Sequence, residues 1–177
     1  MKPGPLKALG DVIQFAYFPT DFDATMRYWI ETIGVGPFFV LNDVRLDDMK
    51  YKGQPTDAVF TMALGYWGDI QIELIKTDSD APSLYAGDYA VRDRLHHICI
   101  FVEDMKATRT ACAQAGAEVI VEGKVGADGE VIYVDPGQGP GHIIEFLQPV
   151  SGSQALFQMM KEAARKWDGT DPIRVLQ

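Results

Sequence analysis

The chain is short of the residues that usually carry chemistry. It has two cysteines and three histidines in 177 residues. Cys99 and Cys112 make neither a disulfide framework nor a paired metal motif, which excludes a stapled secreted scaffold and a Cys-rich zinc site. Positive charge is short too. Sixteen Lys and Arg stand against 25 Asp and Glu, a formal charge of −9. Such an acidic chain fits neither nucleic acid nor an anionic membrane, both of which select basic patches. No apolar run approaches the ~18 residues of a membrane helix, and the opening MKPGPLKALGDV lacks an apolar core of signal-peptide length. The cytoplasm is the expected compartment. What is present is ordinary for a folded protein: 47% of residues are apolar and 23% charged, which argues against disorder. The length suits one domain or two small modules sharing a core.

A repeat lies inside that length. Residues 14–25 (QFAYFPTDFDAT) and 97–108 (HICIFVEDMKAT) coincide at Asp21/Asp104, Ala24/Ala107 and Thr25/Thr108, each pair 83 positions apart. Each segment reads as a buried strand, an Asp able to accept amide hydrogen bonds at a helix start, and an amphipathic helix. The helices run into Gly34 and Gly116, which suit left-handed stops. The ends of the repeats match as well, since 70–75 (IQIELI) and 142–147 (HIIEFL) are apolar strands with one mid-strand Glu. Gln14 and Glu73 are 59 positions apart and His97 and Glu145 only 48, so the first copy is 11 residues longer. The excess is expected between Gly36 and Pro55.

The resulting organisation is an arm at 1–10, a first module at 11–76, a polar, turn-rich linker at 77–94, a second module at 95–149, and a C-terminal helix and tail at 150–177. Each module should hold one strand, one helix and three strands. The later strands are expected at 38–42, 58–64 and 70–76 in the first module, and at 118–121, 131–135 and 142–148 in the second. Tyr66 and Trp67 then fall in a turn. In the tail, Leu156, Phe157, Met160, Ala164 and Trp167 recur at helical spacing. That stripe is read as packing on its own domain, the alternative being contact with a second subunit.

Glu73 and Glu145 sit between apolar neighbours. An ionised carboxylate buried alone costs several kcal/mol, so such groups are usually paired or hold metal. Alternation puts His97, Cys99 and Phe101 on one strand face and the more uniformly aliphatic Ile98, Ile100 and Val102 on the other, which suits helix packing. His97 then faces the opposite, concave side, while His96 and His142 are read as structural. By the repeat, Gln14 occupies the slot of His97 and Glu73 the slot of Glu145. If a rotation relates the modules, these four converge. One imidazole, one amide oxygen and two carboxylates suit a single divalent ion such as Zn²⁺, Ni²⁺, Co²⁺, Mn²⁺ or Fe²⁺.

With those residues in hand, the chain resembles the vicinal oxygen chelate superfamily, the glyoxalase, methylmalonyl-CoA epimerase and extradiol dioxygenase group. The carrying segments are His97 to Met105, which resembles the family's opening strand and helix cap, and Asp135-Pro136-Gly137 with Gly141 to Phe146, which resembles its closing hairpin. The likeness is greatest to uncharacterised bacterial glyoxalase-like proteins and covers roughly residues 11–149. It implies an α+β fold of two βαβββ modules forming a curved mixed sheet around a metal, with the C-terminal helix added. It also implies Gln14, Glu73, His97 and Glu145 as metal ligands. The activity implied is that of a divalent-metal-dependent lyase or isomerase. Glu145, then Glu73, would move a proton next to a carbonyl through a metal-stabilised enolate or enediolate. The alternatives are an extradiol-type dioxygenase, which would need two His and one Glu, and a metal-free binding or sequestering protein. Phe38, Phe39 and Cys99 are expected to contact substrate, and Lys50 and Lys52 could meet a phosphate. The expected partners are a small-molecule substrate and, in a homodimer, a second copy of the chain.

Overall fold

The computed structural model describes residues 4–176. A single 3₁₀ turn over Pro5–Leu9 precedes β1 (Val12–Tyr17), α1 (Phe22–Tyr28), β2 (Phe38–Val44), β3 (Asp47–Tyr51), β4 (Gln54–Pro55), β5 (Phe60–Trp67) and β6 (Ile70–Thr77). The second run is β7 (Leu95–Phe101), α2 (Met105–Ala115), β8 (Glu118–Val125), β9 (Gly129–Asp135) and β10 (Ile143–Gln148). It is followed by α3 (Ser153–Arg165) and β11 (Ile173–Leu176).

The two helix starts are built alike. Asp21 accepts the Ala24 amide and Asp104 the Ala107 amide, each at 2.9 Å, which satisfies one of the orphan donors of a first turn. α1 continues into one wide turn over Trp29–Ile33. Gly34 (φ 81°) and Gly116 (φ 70°) then end the two helical runs in the left-handed region, where a side chain would be strained.

Among the described residues the strands form one curved mixed sheet, in the order β11-β2-β5-β6-β1-β7-β10-β9-β8-β3-β4. Its centre is the antiparallel pair β1–β7. On one side β6 lies parallel to β1, and on the other β10 lies parallel to β7. β5 and β2, like β9 and β8, continue outwards antiparallel. The two runs are therefore related by an approximate twofold through the centre. The outer face carries the helices. Met26 of α1 packs with Phe38, Ala63 and Leu74, and Cys112 of α2 with Ile100, Ile132 and Phe146.

Several expectations need correcting. The extra stretch of the first run contains a hairpin, β3–β4, which leaves its own half and pairs with β8 of the other. Its turn uses Lys52 (φ 48°) and Gly53 (φ 75°), the positive-φ pair of a two-residue hairpin. Tyr66 and Trp67 belong to β5, because the turn is made by Gly68 and Asp69. The start of the chain is no loose arm from Pro5 on, since Leu6 and Leu9 pack on the second half's outer cluster; residues 1–3 lie outside the described residues. The connection at 77–94 buries Ser83, Leu84, Tyr85 and Val91, and Leu84 and Tyr85 join the cluster between the two halves.

The concave face is partly covered by the chain's own tail. Met160 of α3 is fully buried against Phe39 and Leu64. Beyond the helix, Trp167 lies against Gly36, where a Cβ would meet its ring at 2.7 Å. β11 then adds in parallel to β2.

Candidate metal centre

Register brings the singled-out side chains together. Ala16 in β1 pairs with Glu73 of β6 and His97 of β7. Two residues earlier on the same face, Gln14 pairs with Gln71 and Cys99, and Cys99 in turn pairs with Glu145 of β10. Gln14, Glu73, His97 and Glu145 thus lie on the concave face around the central strand pair, two from each half. All four are at least nine-tenths buried.

Three of them meet directly. His97 Nε2 lies 3.1 Å from Glu145 Oε2 and 3.5 Å from Glu73 Oε2. One ligand atom from each falls within 4.8 Å of the other two, a spacing open to a shared cation. Gln14 donates through Nε2 to Gln71 Oε1 at 2.7 Å, and Gln71 donates onward to the Tyr66 hydroxyl at 3.0 Å. In this arrangement the Nε2 end of the Gln14 amide is the one engaged. The Gln14 Oε1 is left buried with no hydrogen-bond partner, at a cost of about 1–3 kcal/mol. A buried acceptor without a donor, on the face that holds two carboxylates and an imidazole, is the signature expected of a residue that completes a cation site. The donor set, three oxygen-bearing groups and one nitrogen, fits a divalent ion.

The electrostatics agree. Burial opposes the charge on His97, yet its bonds to Glu145 and Glu73 outweigh that and lift its pKa to about 9. Glu73 is raised by burial first, and then by the charge of Glu145 against the lowering effect of His97. A positively charged His97 thus lies between the carboxyl groups of Glu73 and Glu145, and buried acids are held with such a partner.

His96 supports His97 from behind. Its Nδ1 lies 3.0 Å from His97 Nδ1 and its Nε2 3.4 Å from the Leu84 carbonyl. Burial first, and the charge of His97 second, lower its pKa to about 3, so it is neutral. A carbonyl only accepts, so His96 carries its single hydrogen on Nε2 and accepts at Nδ1. His97 must then donate from Nδ1, which commits its Nε2 to the carboxylates or to a metal. Alternation had marked His96 as structural. The signal for its role is the neighbouring His, whose ring nitrogen it can reach despite opposite side-chain directions.

The carboxylates of Glu73 and Glu145 open into a cavity of about 280 Å³. Its walls come from both halves, from the β3 side of the inserted hairpin, from Leu84 and Tyr85 of the connection and from Leu156 and Phe157 of α3. Tyr85 and Tyr133, which no local pattern singles out, also line it. Burial, followed by the nearby carboxylate charges, holds both phenols well above their ordinary pKa, so both keep their protons. Phe38, Phe39 and Cys99 do not line this cavity. Adjacent strand residues face opposite ways, so Phe38 packs outward in the α1 cluster, while Phe39 faces inward beneath Met160. Cys99 is buried on the same face, beside Glu145. Burial foremost, then Glu145 and Glu73, push its thiol well above the ordinary value, so it is no nucleophile. Lys50 is engaged with Glu122 at 3.1 Å, and Lys52 lies over the rings of Tyr51 and Tyr89. Asp135 organises the turn before β10 by accepting the amides of Gly137, Gln138 and Gly139. His142 sits exposed in that turn.

Residues 13–134 match the family described as the Glyoxalase/Bleomycin resistance protein/Dioxygenase superfamily. The chain belongs to that superfamily. Among solved structures it is similar to methylmalonyl-CoA epimerase from Mycobacterium tuberculosis, with 15% identity, a TM-score of 0.55, and coverage of 88% of this chain and 96% of that one. It is also similar to a hypothetical protein from Bacillus halodurans C-125, with 14% identity, a TM-score of 0.54, and coverage of 79% and 94%. At these identities the likeness concerns the fold. No curated protein matches the sequence. No helix of the described residues is long and apolar enough to cross a membrane.

Proposed function

We propose that this superfamily member is a divalent-metal-dependent lyase or isomerase that removes a proton from the carbon beside a substrate carbonyl. The observation that supports it is the meeting of two buried carboxylates, Glu73 and Glu145, from opposite halves, around His97 at the wall of one cavity. A divalent ion held by Gln14, Glu73, His97 and Glu145 would supply Lewis-acid polarisation of the carbonyl. Glu145 takes the proton from the adjacent carbon. Glu73, arriving from the other half, returns it on the opposite face, and a carboxylate on each side suits isomerisation or epimerisation. The apolar walls keep water away, and desolvation makes a carboxylate a stronger base. The phenols of Tyr85 and Tyr133, protonated throughout the neutral range, are available to donate to a developing oxyanion. The reading extends to a homodimer in the cytoplasm, the first part of which sedimentation checks.

A second reading, a metal-free binder of small molecules, is favoured by the apolar character of the cavity wall. The extradiol reading is weaker, because the converging trio holds one imidazole where that chemistry uses two. Metal analysis and solvent deuterium exchange separate them. Near-stoichiometric divalent metal, lost in Glu145→Ala, together with deuterium incorporation into a 2-oxo compound or an acyl-CoA thioester, is the expected result. Metal-free protein that still binds an apolar ligand would favour the binder, and oxygen uptake on catechols with bound iron would favour the dioxygenase.

A further inference from the structure

We infer that the substrate of this centre is a small, largely apolar carbonyl compound of one or two rings or equivalent branched bulk, entering without a phosphate-bearing carrier. The inference rests on the metal-centre reading and names what that centre acts upon.

Three observations point the same way. The first is size. At about 280 Å³ the cavity is roughly twice the ~150 Å³ that holds one benzene ring, and it lies at the small end of ligand pockets, which run from about 300 to 1,000 Å³. The second is lining. Away from Glu73, Glu145, the two phenols, Arg45 and Ser153, the walls are aliphatic and aromatic, with Leu46, Met62, Leu84, Val121, Val131 and Phe157 around the space. An apolar body gains by entering such walls, whereas a polar one loses its water without replacement bonds. The third is charge. Arg45, exposed at the rim, is the one Lys or Arg in the lining among the described residues. Phosphate recognition calls for several converging donors, such as an arginine fork with backbone amides. A diphosphate or a tripeptide carrier finds no such cluster here, because Lys50 already holds Glu122 and Lys52 lies over two aromatic rings.

The enclosure is built partly from pieces added to the doubled plan. Leu156 and Phe157 of α3 close one side, and Leu46 and Met49, from the inserted segment that crosses to β8, close another. Both pieces lie outside the doubled strand-helix-strand plan, so the extra residues of the first half and the tail serve to shrink and dry the space over the carboxylates.

The test uses two vicinal-oxygen chelators that differ only in a phenyl for a methyl group, benzohydroxamate and acetohydroxamate. They are titrated calorimetrically into nickel-loaded full-length protein whose metal content is measured in the same sample. Benzohydroxamate is expected to bind about tenfold more tightly or better, the ratio that burying an aromatic ring supplies. Met62→Trp and, independently, Leu156→Trp should erase that ratio by filling the cavity, with metal content unchanged. Equal affinities for the two hydroxamates in metal-loaded protein would overturn the substrate class and leave the metal centre standing, as would tight competition by propionyl-CoA. Protein that takes up no metal and binds neither hydroxamate would overturn the metal-centre reading and this inference with it.

Discussion

The two halves of the sheet carry the same scaffold but brace the residues of the candidate centre differently. In the second half His97 is held from behind by His96, which itself leans on the Leu84 carbonyl. In the first half the position matching His96 is Ile13, 83 residues earlier, which offers no such support. There Gln14 is braced from the side by Gln71 and Tyr66, and the position matching Gln71 in the second half is Ile143. A duplicated fold thus fixes where the four donors sit, while each donor's orientation depends on a neighbour that the duplication does not supply. An imidazole has two nitrogens to commit, and the His96 brace settles which of them is left for the site, while the Gln71 brace holds the Gln14 amide in place.

The comparison can be broken in a definite order of effect. Removing charge from the second half's carboxylate should matter most. Glu145→Gln is expected to lower solvent deuterium exchange by about 10²–10⁴-fold, the usual contribution of a general base, while circular dichroism stays native.

Next in size is the response to pH. His97 must lose its Nε2 proton to bind metal, and its pKa in the metal-free protein is raised to about 9. Apparent metal affinity should therefore rise about tenfold per pH unit between pH 7 and about 9 and then level off, as calorimetric titration would show. The sign for stability is opposite. A raised folded-state pKa favours the metal-free fold below the unfolded value near 6.5, and that contribution is lost as pH rises through about 9. The melting temperature of metal-free protein should fall over that window. A melting temperature that rises there would remove the His97–carboxylate pairing from the account.

The braces come third. His96→Phe keeps the ring and removes the nitrogens, and should weaken metal binding by about 10–100-fold. Gln71→Leu should act at the lower end of that range, and Ile13→Val should leave metal affinity unchanged. Equal losses at positions 96 and 13 would mean that His96 is only filling space.

The smallest effect tests the sameness of the halves. Asp21→Ala and Asp104→Ala each remove one bond to a first-turn amide at the same distance. Each should cost about 1 kcal/mol, seen as comparable shifts in a denaturation midpoint.

How much of this could be read from residues alone follows from the range of each interaction. The caps at Asp21 and Asp104 and the stops at Gly34 and Gly116 are local, and they stand in the structure where the repeat placed them. Glu73 and Glu145 were conspicuous because an acid amid apolar neighbours is costly to bury without purpose. The faces of β7 followed from alternation, with His97 inward and Ile100 outward. Non-local features gave no such sign. The crossing of β3–β4 to β8 depends on a partner some seventy residues away, although the positive-φ pair Lys52-Gly53 marks a hairpin. Leu84 and Tyr85 lie in a polar stretch whose local pattern says linker, yet they are buried because both halves close around them. Phe38 and Phe39 could not both face substrate, since neighbours in a strand point apart, and the inward one was taken by Met160 of a helix more than a hundred residues on.

The central claim is that Gln14, Glu73, His97 and Glu145 hold one divalent ion between the two halves. A crystal structure of nickel- or zinc-loaded protein with anomalous scattering data tests it most directly. The account predicts a single strong peak about 2.0–2.2 Å from His97 Nε2 and from oxygens of Glu73, Glu145 and Gln14. An ion bound elsewhere, or one that leaves the Gln14 amide oxygen without a partner, would contradict it.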